Sequence, residues 1–242
     1  MTSIREYPPA SVFPDSPMTA EYRATLIKLL ADQARAELVA AHVYASWVRR
    51  VPDPDTKRYL AAIAQEETEH WYKALELLIE LGVDPRAARR LRTRSWFYPV
   101  TRMLVPRLTW LDVAVGAFLI DAAAYVLVED FAQSSYAPWA ELAQDILKEE
   151  EGHPEFGMRC LERLICDRGR ARVQRRLVRW WRISMNLFGP PVTRNTERYI
   201  RLGLKVRTNE DRRAAFRAAM APRIAELGLD VPRLYRERYP FV

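Results

Sequence analysis

Glu67-Thr-Glu-His70 recurs in this chain as Glu150-Glu-Gly-His153. These motifs contain two of the chain's three histidines, the third being His42. A glutamate and a histidine three residues apart lie on one face of a helix, so both can reach a single metal ion. A lone motif of this kind is usually a surface ion pair. Two copies in helical surroundings ask for one further carboxylate from each neighbouring helix.

The surrounding pattern supplies those helices. Leu26, Leu29, Leu30, Ala34, Leu38, Ala41 and Val48 follow helical spacing and predict a first helix over 19–50. Val51-Pro-Asp-Pro-Asp55 stops it and caps a second, which runs to Leu81 and ends at Gly82. Residues 83–108 read as a basic, irregular connection with a short helix at most; it contains Trp96, Phe97, Tyr98 and three prolines. An apolar third helix is predicted over 109–134, a tight connection over 135–138, and a fourth helix over 139–166. The long crossover between helices two and three is the topology of a ferritin-like bundle. The fold class expected is all-α: a ferritin-like four-helix bundle with extra C-terminal helices. It divides into an N-terminal arm (1–18), the bundle (19–166) and a basic helical extension (167–242). In the extension, Asp167-Arg-Gly169 precedes a helix over 170–187, Phe188-Gly-Pro-Pro191 ends that helix, and Asn209-Glu-Asp211 caps another.

Level matching selects the remaining carboxylates. The first turn centres near Pro52, so the partner of Glu67 is Glu37 at ~1.5 Å rise per residue. The second turn centres near Ala137, which places the partner of Glu150 near residue 124. Asp121 is the nearest acid, with Glu129 and Asp130 as rivals closer to the loop. The separations Glu37 to Glu67 and Asp121 to Glu150 are nearly equal, as expected of two pseudo-equivalent halves. Asp121 lies in Ala117-Phe-Leu-Ile-Asp-Ala-Ala-Ala-Tyr125, an apolar run in which a carboxylate needs a cation or hydrogen-bond donors. The candidate metal ligands, and with them the catalytic residues, are Glu37, Glu67, His70, Asp121, Glu150 and His153. His42 points away from Glu37 and is read as a non-ligand. Tyr44 and Tyr125 lie near the ligand faces as packing residues or hydrogen-bond donors. Four carboxylates and two imidazoles suit two iron ions, or manganese, and disfavour zinc ribbons and iron–sulfur clusters.

Composition sets wider limits. The chain has 242 residues, 49% hydrophobic and 29% charged, which is globular, and its 8 glycines favour helices. The net charge of +7, concentrated between Arg163 and Arg217, suits an anionic partner. Cys160 and Cys166 are expected as reduced, buried thiols of a cytoplasmic protein. The N-terminus carries no signal core, and the apolar run from Val113 to Ile120 is too short to span a bilayer.

The ligand order, with an aspartate on helix three, resembles the phenylacetyl-CoA epoxidase catalytic-subunit family of ferritin-like di-iron oxygenases, related to the benzoyl-CoA epoxidases. Asn186-Leu-Phe-Gly-Pro-Pro191, Leu204-Lys-Val-Arg-Thr-Asn-Glu-Asp-Arg-Arg213 and Ile224-Ala-Glu-Leu-Gly-Leu-Asp-Val-Pro232 are similar to segments of that family in the same order. The resemblance implies a di-iron monooxygenase that uses dioxygen to epoxidise the ring of an aryl-CoA thioester, the second oxygen atom leaving as water. It also implies electrons from an external flavin and iron–sulfur reductase, and a homo-oligomer or a hetero-oligomer with a ligand-less ferritin-like subunit. CoA phosphates would be met by Lys205 and Arg207, which ordinary surface or partner contacts explain equally well. Other readings are oxygenation of a different thioester or of tRNA, iron storage or peroxide detoxification, and a scaffold role. Membrane association is not expected, and nucleic acid is expected only on the tRNA reading.

Overall fold

The computed structural model describes residues 6–89, 107–191 and 193–233. Among these the regular structure is helical: α1 (Ala20–Val48), α2 (Pro54–Glu80), α3 (Pro85–Arg89), α4 (Trp110–Phe131), α5 (Ala137–Glu150), α6 (His153–Arg168), α7 (Arg170–Leu187), α8 (Arg194–Arg201) and α9 (Asn209–Glu226). The expected aromatic part of the crossover, Trp96 to Tyr98, lies outside the described residues. The described residues fall into two compact units, one within Ala10–Leu108 and Tyr136–Leu142, the other within Met1–Pro9, Thr109–Ser135 and Ala143–Val242.

The first unit is built on the α1–α2 hairpin. Thr19 caps α1 by accepting from the Tyr22 amide at 3.1 Å, and Asp53 caps α2 by accepting from Thr56 at 2.8 Å, with Pro54 in the first turn. Gly82, at φ 75°, ends α2 in the left-handed region. Leu26, Leu30, Ala34, Ala41, Tyr44 and Trp47 of α1, and Leu60, Ile63, Ala74, Leu75 and Leu78 of α2, form its buried seam. The Arg23 guanidinium donates to the Leu81 carbonyl, which sets the start of α1 beside the end of α2. In the N-terminal arm, Val12 forms an isolated bridge with Tyr136, and its carbonyl accepts from Ala137 at 2.9 Å. Burial, then the Glu80 charge, pushes the Tyr136 phenol up to about 12.

The second unit is organised around α4. Thr109 and Asp112 form a reciprocal capping box at its start. By length and composition α4 could cross a bilayer, although Val113–Ile120 alone could not; 72% of its apolar window is buried inside the protein, which makes it a core helix. Gly157 of α6 lies against the Phe118 backbone, where a Cβ would drive into the main chain, so α6 and α4 cross closely. Trp180 of α7 packs over Gly116 and donates to Asp112 at 3.0 Å, and Arg176 bridges the same carboxylate at 3.0 Å. Burial pushes Asp112 up, but the bonds from Thr109 and Trp180 and the Arg176 charge outweigh it and hold the carboxyl below its ordinary range.

At the other end of α4, Asp130 is wholly buried and meets the equally buried Arg212 of α9. Arg212 Nε donates to Asp130 Oδ2 at 2.8 Å, and the Val206 and Arg207 amides donate to Oδ1 at 3.1 and 2.9 Å. Arg213 donates to the Met185 and Gly189 carbonyls at 3.0 Å each, and Trp181 and Phe188 close on Phe216. Gly203, at φ 71°, brings the chain against Ser135, whose amide donates to the Gly203 carbonyl at 2.8 Å.

The structure departs from three expectations. The fourth helix is interrupted at Glu151–Gly152, because Pro154 has no amide for the Glu150 carbonyl and its ring crowds that carbonyl. Gly152 keeps right-handed helical angles (φ −85°, ψ −11°). The cap of α9 is Thr208 rather than Asn209, with Asp211 completing a capping box. Cys160 is buried as expected, but Cys166 is exposed on the solvent side of α6, and both are free thiols.

Removing one partner of the buried Asp130–Arg212 pair strands the other charge. Asp130→Ala or Arg212→Ala is expected to cost about 3–5 kcal/mol in urea unfolding, whereas the Asp130→Leu/Arg212→Met double variant costs less than the sum of the two, its remaining loss lying in the Val206 and Arg207 amides left without an acceptor. Asp112 has a lowered folded pKa, so its contribution is present above the unfolded carboxylate value and is lost as pH falls through the folded one. The melting-temperature gap between the parent chain and Asp112→Asn should therefore be full near neutrality and shrink as pH drops below about 4. A gap independent of pH would refute the role given to its charge.

Candidate metal centre

Each half of the predicted ligand set sits within one compact unit. In the α1–α2 hairpin, Arg23 lies fourteen residues before Glu37, and Leu81 lies fourteen after Glu67. The register that pairs Arg23 with Leu81 in antiparallel helices therefore sets Glu37 level with Glu67. Glu37, Glu67 and His70 are buried, at 5%, 3% and 0% exposure, and each offers a ligand atom within 4.8 Å of the others. Gln33, one turn before Glu37, donates its side-chain amide to Glu37 Oε1. Sequence reasoning passed over Gln33, although its spacing of four from a ligand was visible.

In the second unit, Asp121 comes from the middle of α4, Glu150 from the last residue of α5 and His153 from the first of α6. All three are buried. The carbonyl end of α5 carries partial negative charge at Glu150 and, with that carboxylate, favours a cation. Tyr125 follows Asp121 by one turn on the same face. Burial raises its phenol above the ordinary value, and the charges of Glu129, Glu151, Glu150 and Glu155 raise it further. The phenol therefore stays protonated at neutral pH. The buried donors are hard to borderline, carboxylate oxygen and imidazole nitrogen, and fit iron or manganese. Two buried carboxylates as close as Glu37 and Glu67 repel unless a cation or proton lies with them.

The rivals to Asp121 have cationic partners of their own. Glu129 pairs with Arg207 at 3.2 Å, and Asp130 pairs with Arg212. His42 is exposed, its Nδ1 2.9 Å from the Leu38 carbonyl. Tyr44 is buried in the hairpin seam. Of the two predicted phosphate contacts, Lys205 stacks over the Phe131 and Tyr199 rings at 5.1 and 5.3 Å. Arg207 donates to Glu129 and to the Val126 carbonyl at 2.6 Å, and lies 3.5 Å from Asp130. These are long-range partners that local spacing could not reveal.

A helical chain carrying buried carboxylate–imidazole sets in this order is an all-α, ferritin-like protein. More narrowly, it belongs to the phenylacetic acid catabolic protein family, whose family model matches residues 2–239. It is similar to one of the subunits of the 1,2-phenylacetyl-CoA epoxidase of Escherichia coli (strain K12), with 28% identity over 229 residues covering 92% of this chain and 73% of that protein.

Because a metal would relieve the repulsion between buried carboxylates, anaerobic ferrous iron is expected to raise the melting temperature, by more at higher free metal. Glu67→Ala and His153→Ala should each lose bound iron by elemental analysis, and Asp121→Ala should do the same while Glu129→Ala retains it. Loss in Glu129→Ala with retention in Asp121→Ala would reverse the choice of ligand on α4.

Proposed function

We propose that this protein is the catalytic subunit of a multicomponent di-iron monooxygenase that epoxidises or hydroxylates the aromatic ring of an acyl-CoA thioester such as phenylacetyl-CoA. The reading is carried by the paired buried sets, Glu37 with Glu67 and His70, and Asp121 with Glu150 and His153, in a chain whose family match runs almost end to end. The two sets together would hold two irons, with manganese as the alternative occupant. When bound, the metal pair supplies dioxygen activation. The chain's own residues hold the metals at buried carboxylates and imidazoles, and exclude bulk water by setting them among apolar helices. The protonated Tyr125 phenol would offer a hydrogen-bond donor near Glu150.

On this reading residues 19–166 form the metal-binding bundle and 167–242 the basic extension. Lys205 and Arg207 would meet CoA phosphates; Arg207 would then exchange Glu129 for phosphate, since one guanidinium fork cannot serve both fully. Electrons would come from a separate flavin and iron–sulfur reductase. A ligand-less helical companion would complete the assembly, in the cytoplasm.

The test is turnover of phenylacetyl-CoA under labelled dioxygen by the iron-loaded protein, supplied with a flavin and iron–sulfur reductase and any companion protein. One labelled oxygen atom in the ring is expected, and the rate should fall roughly 100-fold or more in Asp121→Ala. A fully iron-loaded complex that oxygenates no aryl-CoA thioester would overturn the substrate assignment.

A further inference from the structure

The sequence of α7, Arg170-Ala-Arg-Val-Gln-Arg-Arg-Leu-Val-Arg-Trp-Trp-Arg-Ile-Ser-Met-Asn-Leu187, contains six arginines and neither lysine nor acid. One face, with Val173, Leu177, Trp181, Ser184 and Met185, is buried. On the opposite face Arg172, Arg175, Arg179 and Arg182 are exposed. At ~100° and ~1.5 Å per residue these four fall within about 80° of the helix circumference and span about 15 Å. None of the four forms a salt bridge with a described residue, in contrast to Arg176, which bridges Asp112 at 3.0 Å.

This arrangement opposes helix stability. Like charges three and four residues apart repel. Arg170 and Arg172 sit in the first turn, at the positive end of the helix dipole, where α7 has no acidic residue and Gly169 offers no side-chain cap. A face serving only solubility would intersperse both signs. The chain instead places a single row of planar cations on a helix anchored to α4 through Trp180 and Arg176.

We propose that the Arg172–Arg175–Arg179–Arg182 row is a docking surface for an acidic helix of a partner protein. Carboxylates spaced three and four residues apart on a helix repeat at the same ~4.5–6 Å rise, so each guanidinium can grip one carboxylate with two parallel bonds. Nucleic acid fits less well. A row of four supplies at most about four phosphate contacts. The tryptophans of α7 do not lie ready to stack bases, because Trp181 is buried and Trp180 is committed to Gly116 and Asp112. The proposal stands on α7 alone and does not depend on the oxygenase reading.

The test is fluorescence anisotropy of the full chain with a dye-labelled, alanine-based helical peptide carrying glutamates at spacings of three, four and three. A second peptide has the same composition with the glutamates scattered around the helix. The patterned peptide is expected to bind about tenfold tighter or better, with affinity falling as salt rises. Arg172→Gln/Arg175→Gln/Arg179→Gln/Arg182→Gln should abolish that preference with helicity and iron content unchanged, and Arg175→Gln/Arg179→Gln should weaken it if the fourfold variant does not fold. Replacing the four with lysine keeps the charge and should still lose most of the preference. Equal binding of both peptides, or binding indifferent to the substitutions, overturns the proposal. So does tighter binding of a labelled single-stranded oligodeoxynucleotide that the same substitutions remove, which would make the row a nucleic-acid surface.

Discussion

Two carboxylates and an imidazole buried within 4.8 Å of one another inside an apolar hairpin set the terms for the rest of this protein. Such a group is costly to bury unless charge is neutralised and donors are supplied. The hairpin limits the cost by making the position of each group a matter of register. Asp53 and Pro54 start α2, Gly82 ends it, and the Arg23 guanidinium on the Leu81 carbonyl ties the far ends together. A shift of even one residue along either helix would turn a ligand by about 100° and set it against Leu or Ala neighbours. The apolar seam from Leu26 to Trp47 therefore does more than stabilise the pair; it keeps Glu37 level with Glu67.

The α4 unit meets the same problem differently. Its central helix is nearly all apolar, yet carries Asp112, Asp121 and Asp130 in buried positions. Two of these have visible compensation. The Asp112 carboxylate accepts from the Thr109 amide and hydroxyl and from Trp180 and pairs with Arg176, and Asp130 receives Arg212 with two backbone amides. Both clamp α4 to the C-terminal helices, so the basic extension supplies cations that let an apolar helix keep its acids. Asp121 stands between these clamps in the stretch where α6 crosses closely at Gly157. It is the acid of α4 that lies level with the Glu150 end of α5, where a metal ligand is proposed.

Much of this was legible in the sequence because it depends on local rules. Helix ends followed from Thr19, Asp53, Gly82, Thr109 and Gly169, and the level of Glu37 followed from the length of the turn. What escaped depends on partners far along the chain. Arg207 reads as a surface cation until Glu129 and the Val126 carbonyl are placed beside it. Glu129 and Asp130 read as open carboxylates until Arg207 and Arg212 are placed beside them. Cys160 and Cys166 were both expected to be buried, yet a spacing of six puts them on different faces of a helix, and only Cys160 faces the core. The missed interruption at Gly152 was local, and Pro154 announced it; helical periodicity on either side outweighed the signal.

That interruption also limits how far the internal repeat extends. Glu67 and His70 share an unbroken helix, so backbone hydrogen bonds on both sides fix the angle between them. Glu150 closes α5 and His153 opens α6, with two turn residues between and no amide at Pro154 to bond the Glu150 carbonyl. Equal spacing in sequence thus produces unequal backbone support. The second pair of side chains must take its orientation from packing instead: Gly157 against α4, Phe156 buried beside it in sequence, and Glu155 held by Arg223 at 2.5 Å. Two motifs that read as copies are held by different means, one by a helix and the other by the tertiary contacts that brace a broken one.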